Sequence, residues 1–347
     1  MVVTLPRAQE STVQAVIFGK LPSRSDFMRT NATHPVAQEL DELIQNALEQ
    51  CRLQEGWEAR YDSCPMLDIC YTSRDRRWTF LGVLRTSRDQ SGRRYPLVGG
   101  LAFPSHALAG ERSLVPIACE VFFEGLREQL DLAVSPSAEE HSCRGFLESQ
   151  AGVWASASAS DLRLAAEIIG HFLDTQHPSI LEASLRESEP AGSIPQALLN
   201  LIFFRDFLRR FGAIGGVQTL ELPLQNGSGV TPLHACAWLA LIAAIHGTES
   251  PWPGSFLLKH GPGDTRARLF ASFGQMPDRA ILAALGGGPD EGGGLDLASE
   301  QKTWVAHRLY PETAYALDRI VANPILALSG LISFIKETQK KIALSTI

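Results

Sequence analysis

Apolar residues enter the chain as short unbroken runs. "VQAVIF", Val13 to Phe18, reads as a buried strand. The period then becomes helical. Val36, Leu40, Leu43, Ile44, Ala47 and Leu48 share one face, which predicts a helix from Pro35 to Gln50 capped by Thr33 or Asn31. "MLDICY", "WTFLGVLRTS" and "YPLVGGLAF" return to strand character. The last two flank "RDQSGRR", where Gly92 supplies a turn, so a β-hairpin is expected. Leu114 to Leu132 goes back to helical spacing.

Ser135 to Ser142, rich in Ser, Pro and Glu, reads as a linker-like break. Beyond it the pattern is mostly helical. Ser160 and Asp161 predict the cap of an amphipathic helix reaching Leu173. Pro195 to Gly212 has Pro near its start and Gly past its end, the asymmetry of a helix. "VQTLELPL" is a strand, and "PLHACAWLALIAAIHG" is apolar nearly all round, as a buried helix would be. "SFLLKHG" and "RARLFASFG" predict a second hairpin, and Pro277 to Leu285 a short helix. "GGGPDEGGG", Gly286 to Gly294, reads as a flexible boundary, with two or three helices after it. Alternating strands and helices predict a layered α/β sandwich with a mixed, hairpin-containing sheet over residues 10–286. A helical C-terminal extension is expected over 287–347.

The totals exclude several classes. Hydrophobic residues at 45% and charged residues at 20% over 347 positions describe a folded chain with a large core. A net charge of −7 argues against a nucleic-acid binder. The six cysteines have no C-x-x-C spacing and sit in apolar runs, so buried reduced thiols are expected. The N-terminus lacks the pattern of a signal peptide, and the run Pro324 to Ile335 is too short to span a bilayer. The expected location is the cytoplasm.

Several stretches imitate chemistry. "TPLHACA" matches the start of an ankyrin repeat, but no second copy occurs downstream. "GSGVTP" follows a strand and opens a helix, yet Pro232 replaces the third glycine of a dinucleotide loop. Lys20 follows Gly19 without the rest of a Walker A loop. No Asp-Gly dipeptide is present to place the carboxylates of a metal-dependent phosphatase, and no H-E-x-x-H or G-x-S-x-G occurs. The reading is therefore of no catalytic, cofactor or metal residues and no enzyme. An alternative stays open: an enzyme or nucleotide-binding α/β protein whose site is assembled from dispersed residues.

The stretch "FGKLPSRSDF", Phe18 to Phe27, is dense in turn-forming and charged residues. The hairpin region Thr72 to Arg94 holds seven Arg against two Asp, in a chain with only six Lys. Choosing Arg over Lys favours bidentate pairing with carboxylate or phosphate. Asp26 can cap the next element of the chain or pair with an Arg such as Arg93. Few acids lie nearby in sequence, so the arginines are expected to face outward to an acidic or phosphorylated partner. The expected docking residues are Lys20, Ser23, Arg24, Asp26, Arg88, Arg93, Arg94 and Tyr95.

These two stretches carry a resemblance to the TagF (ImpM) family of type VI secretion accessory proteins. Phe18, Gly19, Lys20, Leu21, Pro22, Ser23, Asp26 and Phe27 fit its first block, F-G-K-L-P-S-x-G-D-F. Gly82, Val83, Ser87, Asp89, Gly92, Arg93, Tyr95, Pro96 and Leu97 fit its second. The likeness covers Val13 to Leu132, with a looser match from "ESPWPGSFLL" to "FGQMPDRAILAAL". Ser25 stands where the family has Gly; if that position needs positive φ, Ser25 is strained. The resemblance implies an α/β sandwich without established enzymatic activity. It also implies post-translational repression of the secretion machine, linked to a forkhead-associated scaffold protein.

Overall fold

The computed structural model describes residues 13–108, 110–135, 141–212, 219–247, 252–261, 266–286, 294–300 and 302–345. Eight strands form one sheet: β1 (Gln14–Gly19), β2 (Met28–Thr30), β3 (Leu67–Thr72), β4 (Trp78–Arg85), β5 (Leu97–Pro104), β6 (Leu220–Pro223), β7 (Phe256–Lys259) and β8 (Arg268–Ala271). Their order across the sheet is β2-β1-β5-β4-β3-β7-β8-β6. The helices are α1 (Pro35–Cys51), α2 (Trp57–Asp62), α3 (Val115–Ala118), α4 (Glu120–Val134), α5 (His141–Thr175) and α6 (Ser179–Ser188). They continue with α7 (Ile194–Phe211), α8 (Val230–His246), α9 (Asp278–Ala284), α10 (Lys302–Val305), α11 (Tyr310–Val321) and α12 (Leu328–Leu344).

Side chains alternate across the sheet with a period of two, and both faces are covered. Val16, Phe18, Ile69, Phe80, Val98 and Phe270 point to one side, where α1 and α9 close the layer with Leu40, Ile44 and Ile281. Ile17, Leu81, Leu101, Leu258 and Leu269 point to the other, against α4, α5, α7 and α8. Double-sided burial explains why the strands read as continuous apolar runs rather than as alternation. The result is the expected layered α/β sandwich.

The sheet departs from the expected mixed pattern. All its ladders are antiparallel. Among the described residues, parallel pairing is confined to an isolated bridge between Thr219 and Gly294. Strand–helix alternation suggests parallel crossovers, but the spatial neighbours here are hairpins (β3–β4, β4–β5, β7–β8) or closures between distant segments such as β1–β5.

Three local expectations also change. The N-cap of α1 is His34, whose Nδ1 accepts the Val36 N–H at 3.3 Å, rather than Thr33 or Asn31. The apolar run Leu114 to Leu132 is broken at Cys119, between α3 and α4. Ser160 and Asp161 lie inside the 35-residue α5 instead of capping a helix. The Ala- and Ser-rich stretch before them continues the helix, and Trp154 anchors that part against Phe103 at 5.1 Å between ring centroids. The helix α7 starts as expected: the Ser193 hydroxyl accepts the Gln196 N–H, and Gly212 ends it.

Most of the two linker-like stretches, 136–140 and 287–293, lies outside the described residues. The C-terminal helices belong to the main core: Leu328, Leu331, Ile335 and Ile342 of α12 are buried in the same cluster as Leu81 and Leu101. No helix among the described residues is long and apolar enough to cross a membrane.

Candidate functional site

The sequence of β1 ends where the backbone must turn sharply. Gly19 has φ +131°, and a Cβ there would lie 2.0 Å from the Pro96 carbonyl oxygen. Only glycine lets β1 pass this close to the start of β5. Lys20 therefore leaves the strand aimed at the loop between β4 and β5.

That loop is organised by Asp89, whose carboxylate is fully buried. One oxygen accepts the Lys20 ammonium at 2.8 Å and the Arg93 Nε at 2.7 Å. The other accepts the backbone N–H groups of Ser91 and Arg93, both at 2.9 Å. Gly92, at φ +82°, makes the tight turn these bonds require. The Lys20 hydrogen bond, followed by those of Arg93, holds the Asp89 carboxyl well below the usual carboxylate range. The two motif blocks are tied further by Arg93 Nη2 on the Ser25 carbonyl at 3.0 Å and the Gln90 N–H on the Arg24 carbonyl at 2.9 Å.

Four of the seven hairpin arginines, Arg74, Arg85, Arg93 and Arg94, are paired with carboxylates instead of all being left for a partner. Arg94 grips Asp62 with two parallel bonds of 2.9 and 2.7 Å and Glu58 with a third of 2.7 Å, pinning α2 to the loop. Arg74 pairs with Glu42 at 3.0 Å, and Arg85 with Asp131 at 2.9 Å. The acids come from other elements, so proximity in sequence could not reveal them. Among the described residues, Arg76, Arg77 and Arg88 have no carboxylate within ion-pair distance and are exposed.

The predicted residues thus divide. Lys20, Arg94 and Tyr95 are corrected from docking to inward, positioning roles. Lys20 and Arg94 side chains are only 15% and 17% exposed, and Tyr95 is buried. The Tyr95 hydroxyl donates to the Asp41 carboxylate, and burial together with that carboxylate pushes its pKa up. Its ring packs edge-on against Phe27 at 5.1 Å. Ser23, Arg24, Asp26, Arg88 and Arg93 remain exposed, on the two loops that the Lys20, Gln90 and Arg93 bonds hold together. Asp26 does not pair with Arg93, because Asp89 does, and it precedes a strand rather than a helix. Ser25 carries no positive φ; among described non-glycine residues only Asn31 and Arg76 do. The substitution for glycine is therefore unstrained.

A second cluster lies on the other side of the sheet. Asp68, buried on β3, accepts Arg127 Nη1 on both oxygens at 2.7 Å and stands 2.6 Å from His260 Nε2. These groups line a cavity of about 300 Å³ with Glu120, Glu124 and the Gly227–Gly229 loop that opens α8. An acid within the apolar run "MLDICY" was the available sequence signal. Among the described residues, no three His, Cys, Asp or Glu side chains are arranged to hold a metal. All six cysteines are buried and none is joined in a disulfide; burial pushes the Cys70 thiol up to about 11 and Cys143 up to about 12.

The fold and the corner define an α/β/α sandwich in which two motif blocks, distant in sequence, are locked together by one buried carboxylate. Residues 16–149, which contain both blocks, match the family model of the TagF N-terminal domain, type VI secretion system-associated. Residues 16–149 thus form a TagF N-terminal domain, a type VI secretion system-associated domain. The crystal structure of PA0076 from Pseudomonas aeruginosa PAO1 is similar over 39% of this chain and 60% of that one, at 20% identity and a TM-score of 0.31. No curated protein matches the chain.

Proposed function

We propose that this chain is a non-enzymatic accessory of a type VI secretion system that works in the cytoplasm by binding another protein. The finer reading is post-translational repression through a forkhead-associated scaffold. The observation that carries it is the corner within the family domain, where Ser23, Arg24, Asp26, Arg88 and Arg93 are presented on loops cross-linked by Asp89. A pre-organised loop loses little conformational freedom on docking, which favours recognition of a protein surface. Exposed guanidinium groups suit an acidic or phosphorylated partner.

Pull-down against the cognate forkhead-associated protein tests this. Arg88→Glu combined with Arg24→Glu is expected to weaken capture by about tenfold or more while the fold stays intact. Full capture by the folded double variant removes this surface from consideration.

The Asp68–Arg127–His260 cavity favours a second reading, a small-molecule site. A thermal-shift screen with nucleotides and divalent metals separates the two. A rise in melting temperature that is lost in His260→Gln supports the second reading, and no response supports the first.

A further inference from the structure

The helix α8 separates two surfaces of opposite character. At its start, Gly229 and Leu233 border a groove of about 560 Å³ formed with α3, α4 and α5. At its end, Ala243, Ala244 and Gly247 border a cleft of about 590 Å³ formed with α7 and α12. The 17 residues between these ends put the two surfaces about 25 Å apart.

The groove is apolar with an acidic edge. Val121 is 83% exposed, Leu164 57%, Val153 48% and Ile168 42%. These are four of the ten large apolar side chains exposed among the described residues, and all four line this groove. Single exposed apolar residues are ordinary, but a cluster marks a surface that is covered in use. Glu120 and Asp161 line the same groove.

The opposite end is basic in a chain of net charge −7. Lys336, Lys340 and Leu344 fall at i, i+4 and i+8, one stripe along α12. Lys341 is exposed beside them, so three lysines stand against Glu337, which pairs with Lys340 at 2.7 Å. Leu344 is 73% exposed. An apolar tip with a basic flank is complementary to an apolar groove with an acidic edge.

We infer that a second copy of this chain occupies the groove, inserting the last turns of its α12. One molecule cannot satisfy the contact internally, because its two halves lie at opposite ends of α8. The contact joins unlike surfaces, so it is heterologous and grows head to tail instead of closing as a two-fold dimer. Its charged part is solvent-exposed, so salt weakens it.

Sedimentation velocity over a concentration series, at low and high salt, tests this on the full chain. The wild type is expected to sediment faster as concentration rises, and less so at high salt. Leu164→Asp removes the groove; Lys336→Glu with Lys340→Glu and Leu344→Asp removes the stripe. Each variant alone is expected to stay monomeric. An equimolar mixture of the two is expected to form a discrete dimer, since one intact groove then meets one intact stripe. All the altered residues are exposed, and circular dichroism checks the fold; if Leu164→Asp loses helix, Ile168→Asp takes its place. A wild type that stays monomeric at every concentration overturns the inference. So does association that survives the stripe variant, or a mixture that remains monomeric.

Discussion

At Asp89, one carboxylate accepts from an ammonium, a guanidinium and two backbone N–H groups. Replacing one of its oxygens by an amide N–H₂ puts a donor against donors. Asp89→Asn is therefore expected to lower the melting temperature and weaken amide protection from Lys20 to Ser25 and from Gln90 to Arg93, read by hydrogen exchange. Its pH signature comes from the lowered pKa. The stabilisation is present above the unfolded carboxylate value of about 3.9 and is lost as pH falls toward the lower folded value. The opposite case is His234, which is fully buried with neither ring nitrogen hydrogen-bonded. Burial pushes its pKa down to about 4. Between about 6.5 and 4 the unfolded chain binds the proton that the folded chain refuses, so stability falls with pH through that window, by about 3 kcal/mol in all. His234→Leu is expected to flatten this part of the stability profile and to raise stability at neutral pH. An unchanged slope in urea titrations between these pH values would refute the assignment.

Elements add what single residues do not show. Ser160 illustrates how a local signal is overridden. As a cap, its loss would cost about 1 kcal/mol; inside the continuous α5, Ser160→Ala is expected to be neutral or slightly stabilising, because Ala is the better helix former. Ser160→Pro is expected to cost about 3 kcal/mol or more by removing a helical N–H and clashing with the preceding turn. Chemical denaturation of the pair distinguishes the two structures directly. The turn at Gly19 belongs to this scale as well, since it fixes how β1 meets β5. Gly19→Ala is expected to lose at least about 1–3 kcal/mol from backbone strain, with the clash against Pro96 added.

Across the whole molecule, the C-terminal helices decide whether the chain unfolds as one unit. Ile335 of α12 is completely buried in the cluster that also holds Leu81 of β4 and Phe203 of α7. Ile335→Ala is expected to cost about 2–5 kcal/mol. Tryptophan fluorescence and far-ultraviolet circular dichroism should report one shifted transition. An early, separate loss of helix would instead mark residues 302–345 as an independent extension.

The amino-acid sequence by itself determined the local pieces of this protein. The periods of two and 3.6, the Pro and Gly around α7, and the Gly92 turn placed the central strands, two hairpins and the buried α8, because each signal is contained within a few neighbouring residues. The two motif blocks were legible for the same reason. Tertiary structure alone decided which charges meet. Glu58 and Asp62 reach Arg94, Asp41 reaches Tyr95, and Asp68 meets Arg127 and His260 only because the sheet order brings together segments that lie tens of residues apart or more. The direction of every ladder and the inward turn of Lys20 were set at that level too. Strand order is chosen by burial of both sheet faces at once, a condition that no local stretch of chain can express.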